Sequence, residues 1–205
     1  MKNHTYFITG ISTEVGKTIV SAILTEALQA DYWKPVQAGE LEHSDTHTVR
    51  QLVSNTKTKF HASAFNLETP MSPHAAAKID GVGLSVKKIK RPKCQNNLVI
   101  EGAGGLLVPL NDTQTIIDLI LPTDKVVVVS RHYLGSINHT LLTIEALKSR
   151  GIPVFGIVFN GAEHPSTETV ITKMSGVPIL GRIDEEPYFD KNVVKEYAEN
   201  LSEVL

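Results

Sequence analysis

Short apolar runs alternate with stretches of helical periodicity along this chain. Tyr6 to Thr9 form the first run, and apolar residues then recur at Ile19, Val20, Ile23, Leu24 and Leu28, which predicts a strand followed by a helix to about Ala30. The pattern returns with strands at Leu98 to Ile100, Val126 to Ser130, Val154 to Phe159 and Ile179 to Gly181, and a helix from about Asn138 to Arg150. Val126-Val127-Val128-Val129 is apolar on both sides, as a strand is when helices cover both faces of a parallel sheet. The expectation is an α/β domain with a doubly wound, mostly parallel sheet and ligands at the carboxyl ends of its strands. Tyr32-Trp33-Lys34 is stopped by Pro35, which disfavours helical backbone at Lys34 and puts this lysine at a strand end. The segment from about Asn55 to Gln95 is less regular and reads as an excursion with a helix near His74 to Ile79. With no repeat or linker, residues 1–205 are expected to form a single domain.

Composition narrows the function classes. The chain has 205 residues, 41% of them hydrophobic, enough for one sizeable core. A net charge of −2 provides no field that would recruit nucleic acid or an anionic membrane, which leaves small-molecule chemistry. The polar start Met-Lys-Asn-His-Thr carries no apolar signal segment and no apolar run approaches 18 residues, so a soluble, cytoplasmic protein is expected. The one cysteine, Cys94, lies in a polar stretch and reads as an ordinary surface thiol; His4, His47, His61 and His164 show no ligand spacing and read as solvent-facing.

The strongest chemical signal is Gly10-Ile11-Ser12-Thr13-Glu14-Val15-Gly16-Lys17-Thr18, between the first strand and the first helix. A sharp strand-to-helix turn aims several backbone N–H groups and the positive end of the helix dipole at one point, a cradle for a triphosphate. Lys17 then reaches the β and γ phosphates, and the Thr18 hydroxyl is placed to ligate Mg²⁺. Five residues separate the glycines instead of the usual four, but the strand before and the helix after support the nucleotide reading over a plain βα turn.

Five further positions carry chemistry. Glu101 ends an apolar strand and opens Gly102-Ala103-Gly104-Gly105; the acid suits a metal beside the phosphate loop, whereas the glycines alone could be only a tight turn. Asp45 can be a third metal-facing acid, the N-cap of a helix reaching Leu52, or both. Lys34 is either a solvated surface lysine or a cation that stabilises a transferring phosphoryl group. The Arg131 to His139 stretch opens a helix whose free N–H groups suit a carboxylate, with Ser136 or Asn138 as the alternative cap; Asn160, before Gly161, can pair with adenine or serve as a turn residue.

Taken together these residues resemble the dethiobiotin synthetase family. The likeness rests on Thr9-Gly10 through Glu14-Val15-Gly16-Lys17-Thr18, Lys34-Pro35-Val36 with Gly39, Ser44-Asp45, Pro70 with Ser72-Pro73-His74, Glu101 to Gly105, Leu134-Gly135 with Ile137-Asn138-His139, and Asn160, in order over about residues 5 to 161. It implies a P-loop NTPase-type fold and a homodimer using ATP, Mg²⁺, CO2 and 7,8-diaminononanoate. Thr18, Asp45 and Glu101 would hold the metal, while Glu14, Val15, Gly16, Lys17, Ile19, Gly102, Ala103, Gly104, Asn160 and Gly161 would complete the nucleotide site. Lys17 and Lys34 would act on the phosphoryl and carbamate charge, with Thr13 and Glu14 beside the reacting groups. Thr13, Lys34 and Ala38 would face the diamine, and Leu134, Gly135, Ser136, Ile137 and Asn138 would bind its carboxylate across the dimer interface.

Two departures stand out. Ala38 replaces a hydroxyl residue common in the family, which removes a hydrogen bond worth about 0.5–1.5 kcal/mol unless Gln37, Ser12 or water supplies it. Gly181-Arg182-Ile183-Asp184-Glu185 replaces the family's usual Gly-x-Ile-Pro, which bears on nucleotide preference. The competing reading is a P-loop switch or partition-type ATPase acting through a partner. Such ATPases usually carry an extra lysine early in the loop, and Ile11, Ser12 and Thr13 provide none; Asn160-Gly161-Ala162-Glu163 is not a guanine motif.

Overall fold

The computed structural model describes residues 3–205; Met1 and Lys2, part of the polar start noted above, lie outside them. In chain order the elements are β1 (Thr5–Gly10), α1 (Lys17–Leu28), β2 (Asp31–Trp33), β3 (Val36–Ala38), α2 (Asp45–Leu52), β4 (Phe60–His61), β5 (Phe65–Leu67), α3 (Pro73–Ile79), β6 (Leu98–Gly105), β7 (Lys125–Arg131), α4 (Ser136–Ser149), β8 (Val154–Asn160), α5 (Pro165–Ser175), β9 (Ile179–Ile183) and α6 (Lys191–Ser202). Seven strands form one sheet in the order β4-β2-β6-β1-β7-β8-β9, and every pairing in it is parallel. β3 and β5 pair separately, also in parallel, beside it.

From β1 the chain runs out through β2 to β4, returns to lay β6 between β2 and β1, and then runs out the other way through β7, β8 and β9. Right-handed crossovers through α1 one way and through α4 and α5 the other place these helices on opposite faces, and α6 returns to pack on α1. The central strands are therefore covered twice: Phe7, Ile8 and Val126 through Val129 are fully buried, each such side chain contributing about 1.5–3 kcal/mol relative to exposure. The direction reverses at β1, and a crevice opens there at the carboxyl ends of β1, β2 and β6.

The predicted strands and helices all occur, with shifted limits. α1 ends at Leu28 because Gln29 adopts a left-handed conformation, φ 46°. α4 starts two residues early, at Ser136, and neither Ser136 nor Asn138 caps it; Gly135, at φ 101°, occupies the cap without a side-chain bond. Asp45 is likewise not an N-cap: Ser44 caps α2, accepting from the His47 N–H, and Asp45 opens the helix with its carboxylate free for other contacts. Gly102 to Gly105 is no tight turn but the continuation of β6, with Gly105 paired to Gly10. β3, β4, β5, α5 and α6 went unread, the strands because two or three residues carry no periodicity.

His4, His47 and His164 are exposed as expected, but His61 is not free of partners and Cys94 is not a plain surface thiol. Pairing of β4 on the sheet edge brings His61 onto Asp31 and leaves the half-buried Cys94 sulfur 3.3 Å from its ring.

Candidate active site

The phosphate loop leaves β1 at Gly10 and enters α1 at Lys17. Glu14 sits at φ 57°, a left-handed backbone that a side chain tolerates only where its surroundings demand it, and Gly16 at φ 92° occupies the helix cap with no side-chain acceptor for the first N–H groups. The extra residue of the loop is thus absorbed by two left-handed turns rather than by a longer excursion. A Cβ on Gly16 would lie 2.3 Å from the Asn160 amide nitrogen, which donates to the Val15 carbonyl at 3.0 Å. Gly16→Ala is accordingly expected to cost about 1–3 kcal/mol of stability and to weaken nucleotide binding at least tenfold, as a calorimetric titration would measure.

Three acidic and basic side chains meet beside that loop. The register Asp31↔Leu98, Tyr32↔Val99, Trp33↔Ile100 runs on to set Lys34 beside Glu101 at adjacent strand ends. Lys34 donates to a Glu101 carboxylate oxygen and to the Gly102 carbonyl, both at 3.0 Å, and stands 2.7 Å from Asp45. The Thr18 hydroxyl is 2.9 Å from Asp45 and 3.0 Å from Glu101. Glu101 and Lys34 are 1% and 4% exposed, so neither charge is carried by bulk water. Burial alone would depress the Lys34 ammonium; the Glu101 and Asp45 carboxylates outweigh it and hold the group above its ordinary value. Burial pushes the Asp45 carboxyl up, but Lys34 and the Thr18 hydroxyl bring it below the usual range. Lys17 has less help: burial and the neighbouring Lys34 lower it to about 8, and its ammonium donates to the Ser12 carbonyl at 3.0 Å inside its own loop.

Sequence reasoning missed Tyr32 and gave Gln37 only the part of a substitute donor beside Ala38. The Tyr32 hydroxyl donates to the second Glu101 oxygen at 2.8 Å, and burial and the Glu101 charge keep it a phenol. The alternation Tyr32-Trp33-Lys34 holds the signal, since residues two apart on a strand share a face. Gln37 accepts from the Asp45 N–H at 3.3 Å and donates to the Gly39 carbonyl at 3.1 Å, steadying the start of α2.

These groups line a cleft of about 660 Å³ together with Thr13, Glu14, Gly16, Ala38, Ala103 and Gly104, closed on the far side by Pro70 to Pro73. Val15, Ile19 and Gly102 do not line it: Val15 and Ile19 pack on the core, and Gly102 contributes its carbonyl to Lys34. Asn160 and Gly161 end β8 behind the loop, and Leu134 to Asn138 lie outside the cleft. Leu134 is fully exposed there, and Leu107, Ile137 and Leu142 are exposed with it.

Sheet order and loop together define the α/β P-loop class. A family model described as an AAA domain matches residues 4–193. A plasmid partition protein from Borrelia burgdorferi, solved with AMPPNP, superposes with TM-score 0.62 at 14% identity over 100% of this chain and 98% of that one. Pyrococcus horikoshii MinD, solved with Mg-ADP, gives 0.59 at 12% over 100% and 94%. At that identity the likeness speaks for the fold alone. Within the class the sequence relatives are specific: ATP-dependent dethiobiotin synthetases from Christiangramia forsetii (65% identical over 98% of this chain and 97% of the relative) and Cytophaga hutchinsonii (52% over 96% of both). The chain belongs to the dethiobiotin synthetase family and is an enzyme of the ligase class.

Proposed function

We propose that this chain carboxylates 7,8-diaminononanoate with CO2 and closes the product to the cyclic urea dethiobiotin, converting ATP to ADP and phosphate. The observation that carries the reading is the convergence of Thr18, Lys34, Asp45 and Glu101 beside the Gly10–Gly16 loop in one cleft.

The donor set fits Mg²⁺: a hydroxyl and two carboxylates, all hard oxygen ligands, already within hydrogen-bond distance of a common point at the Thr18 oxygen. Thr18, Asp45 and Glu101 are the residues that would hold it, and Mg²⁺ there would supply charge neutralisation for the phosphoryl group. Lys17, with Glu14 to Gly16 and the first amides of α1, binds the phosphates; the buried Lys17 gains its missing counter-charge from them. Asn160 uses one amide hydrogen on Val15 and keeps its oxygen and second hydrogen for the adenine edge, with Gly161 beside it.

One substrate amine adds to CO2 and loses a proton, giving a carbamate. Lys34, held as an ammonium by its two acids, offers positive charge to the carbamate oxygens and to the transferring phosphoryl group but is no base. The carbamate oxygen attacks the γ-phosphorus, ADP departs, and the second amine then attacks the carbamic-phosphoric anhydride carbon to expel phosphate and close the ring. Thr13 and Glu14 flank this space, and Ala38 lines it without a hydroxyl; Gln37, which lines it too, keeps a second amide hydrogen beyond its bonds with Asp45 and Gly39 for that contact.

The substrate carboxylate goes to the N–H groups at the start of α4, Leu134 to Asn138. These lie outside the cleft of the same chain, so the reading includes a homodimer that presents them to the partner's cleft; the exposed Leu107, Leu134, Ile137 and Leu142 around that helix support it. Among the described residues no helix is long and apolar enough to cross a membrane. The test is a product assay: ADP and a cyclic urea are expected only when ATP, Mg²⁺, bicarbonate and the diamine are all present. ATP hydrolysis that ignores the diamine would instead favour a switch ATPase.

A further inference from the structure

We propose that Asp31, His61 and Cys94 form a binding site for one borderline divalent cation, Zn²⁺ by its donor set, on the sheet edge behind the catalytic cleft. Carboxylate, imidazole and thiol come from the start of β2, from β4 and from the segment leading into β6, and their ligand atoms all lie within 4.8 Å of one another. His61 Nε2 is 3.0 Å from an Asp31 oxygen and 3.3 Å from the Cys94 sulfur. Two donors bound about 2.1 Å from a tetrahedral Zn²⁺ are about 3.4 Å apart, so the ring nitrogen already holds near-ligand spacing to both neighbours.

Asp31 is the acceptor the other two groups share: the Cys94 thiol and a protonated His61 Nε2 both hydrogen-bond to its carboxylate. One ring nitrogen faces two partners: carrying a proton it can satisfy the carboxylate but not accept from the thiol, and without one its lone pair accepts from the thiol while facing the carboxylate. The thiol also reaches the Pro92 carbonyl, at 3.7 Å. A divalent ion satisfies carboxylate, lone pair and thiolate together, with the thiol proton released to solvent.

The surroundings support ligation. Asp31 is 3% exposed, and its second oxygen is oriented by the Lys59 N–H at 3.3 Å and the Asn96 side chain at 3.4 Å, the outer-sphere bonding typical of ligating carboxylates. The His61 and Cys94 side chains are only partly covered, which leaves an entry path and a fourth position for water. Since β2 leads directly into Lys34 and β6 carries Glu101, the ion would clamp the edge of the sheet that presents both.

The experiment uses tag-free full-length protein under reducing conditions with excess Mg²⁺ to occupy the oxygen site. Wild type is expected to bind one equivalent of Zn²⁺ that Cys94→Ser and His61→Gln each lose, with a Zn²⁺-dependent rise in thermal midpoint in wild type only. The Co²⁺ complex of wild type should show a thiolate-to-metal charge-transfer band, absent from Cys94→Ser. Equal Zn²⁺ stoichiometry in all three proteins, or a Co²⁺ spectrum without the thiolate band, overturns the site. Neither residue touches the catalytic cleft, so diamine-dependent urea formation by the variants separates this result from the reading of the active site.

Discussion

Lys34→Gln is expected to reduce urea formation by roughly 10²- to 10³-fold, the usual cost of removing a preorganised charge from a phosphoryl- or acyl-transfer site, while the nucleotide Kd changes only a few-fold. The split follows from position. Lys17 and the loop amides hold the phosphates without Lys34, whereas Lys34 faces the end of the cleft beyond the loop, at Asp45 and Glu101. A second consequence distinguishes this residue from a surface lysine. Its ammonium lies between two carboxylates and is 4% exposed, so the neutral amide leaves like charges facing each other in a dry site. Removing one partner of such a cluster costs about 3–5 kcal/mol, which should lower the thermal midpoint of the nucleotide-free variant and be largely recovered in saturating Mg-nucleotide. Near-normal turnover of the variant would remove Lys34 from the chemistry.

Glu101→Gln should raise the Mg²⁺ concentration needed for half-maximal turnover by roughly 10- to 100-fold and lower the maximal rate as well. Three donors converge on this carboxylate: the Tyr32 hydroxyl on one oxygen, and the Thr18 hydroxyl and Lys34 ammonium on the other. A carboxamide offers one acceptor oxygen. Either orientation therefore turns an NH2 group toward a buried donor, and the site loses both a charge and a hydrogen bond without any change of shape. An unaltered Mg²⁺ titration would show that Glu101 serves only to anchor Lys34 and Tyr32. Turnover and metal dependence measured on the same preparation separate those roles.

Much of the site was readable because its chemistry is local in the chain. Gly10 to Thr18 carries strand, turn, lysine and hydroxyl in one uninterrupted stretch, and the all-valine run at 126–129 could be buried only in a covered parallel sheet. Asp45 and Lys34 were harder, since an acid before a helix and a lysine after a strand have ordinary solvent-facing uses. The partners of Lys34 in β6 lie up to 68 residues away, in a strand whose register no local pattern specifies. Tyr32 was missed for the same reason, its hydroxyl being a core anchor or an active-site donor according to which strand lies alongside. β4 and the His61–Cys94 contact were invisible because a two-residue strand has no period to detect.

By itself the sequence determined the class of fold, the phosphate loop and the set of acids and lysines available to it, because alternation of apolar runs and a glycine-bounded turn are written in neighbouring residues. Only the tertiary structure decided which of those charges meet. Parallel pairing of β2 with β6 brings Lys34 to Glu101, and the capping of α2 by Ser44 frees Asp45 to join them. Inter-strand register is set by the packing of the whole sheet, and charge neutralisation in a buried site depends on that register rather than on any residue's neighbours in the chain.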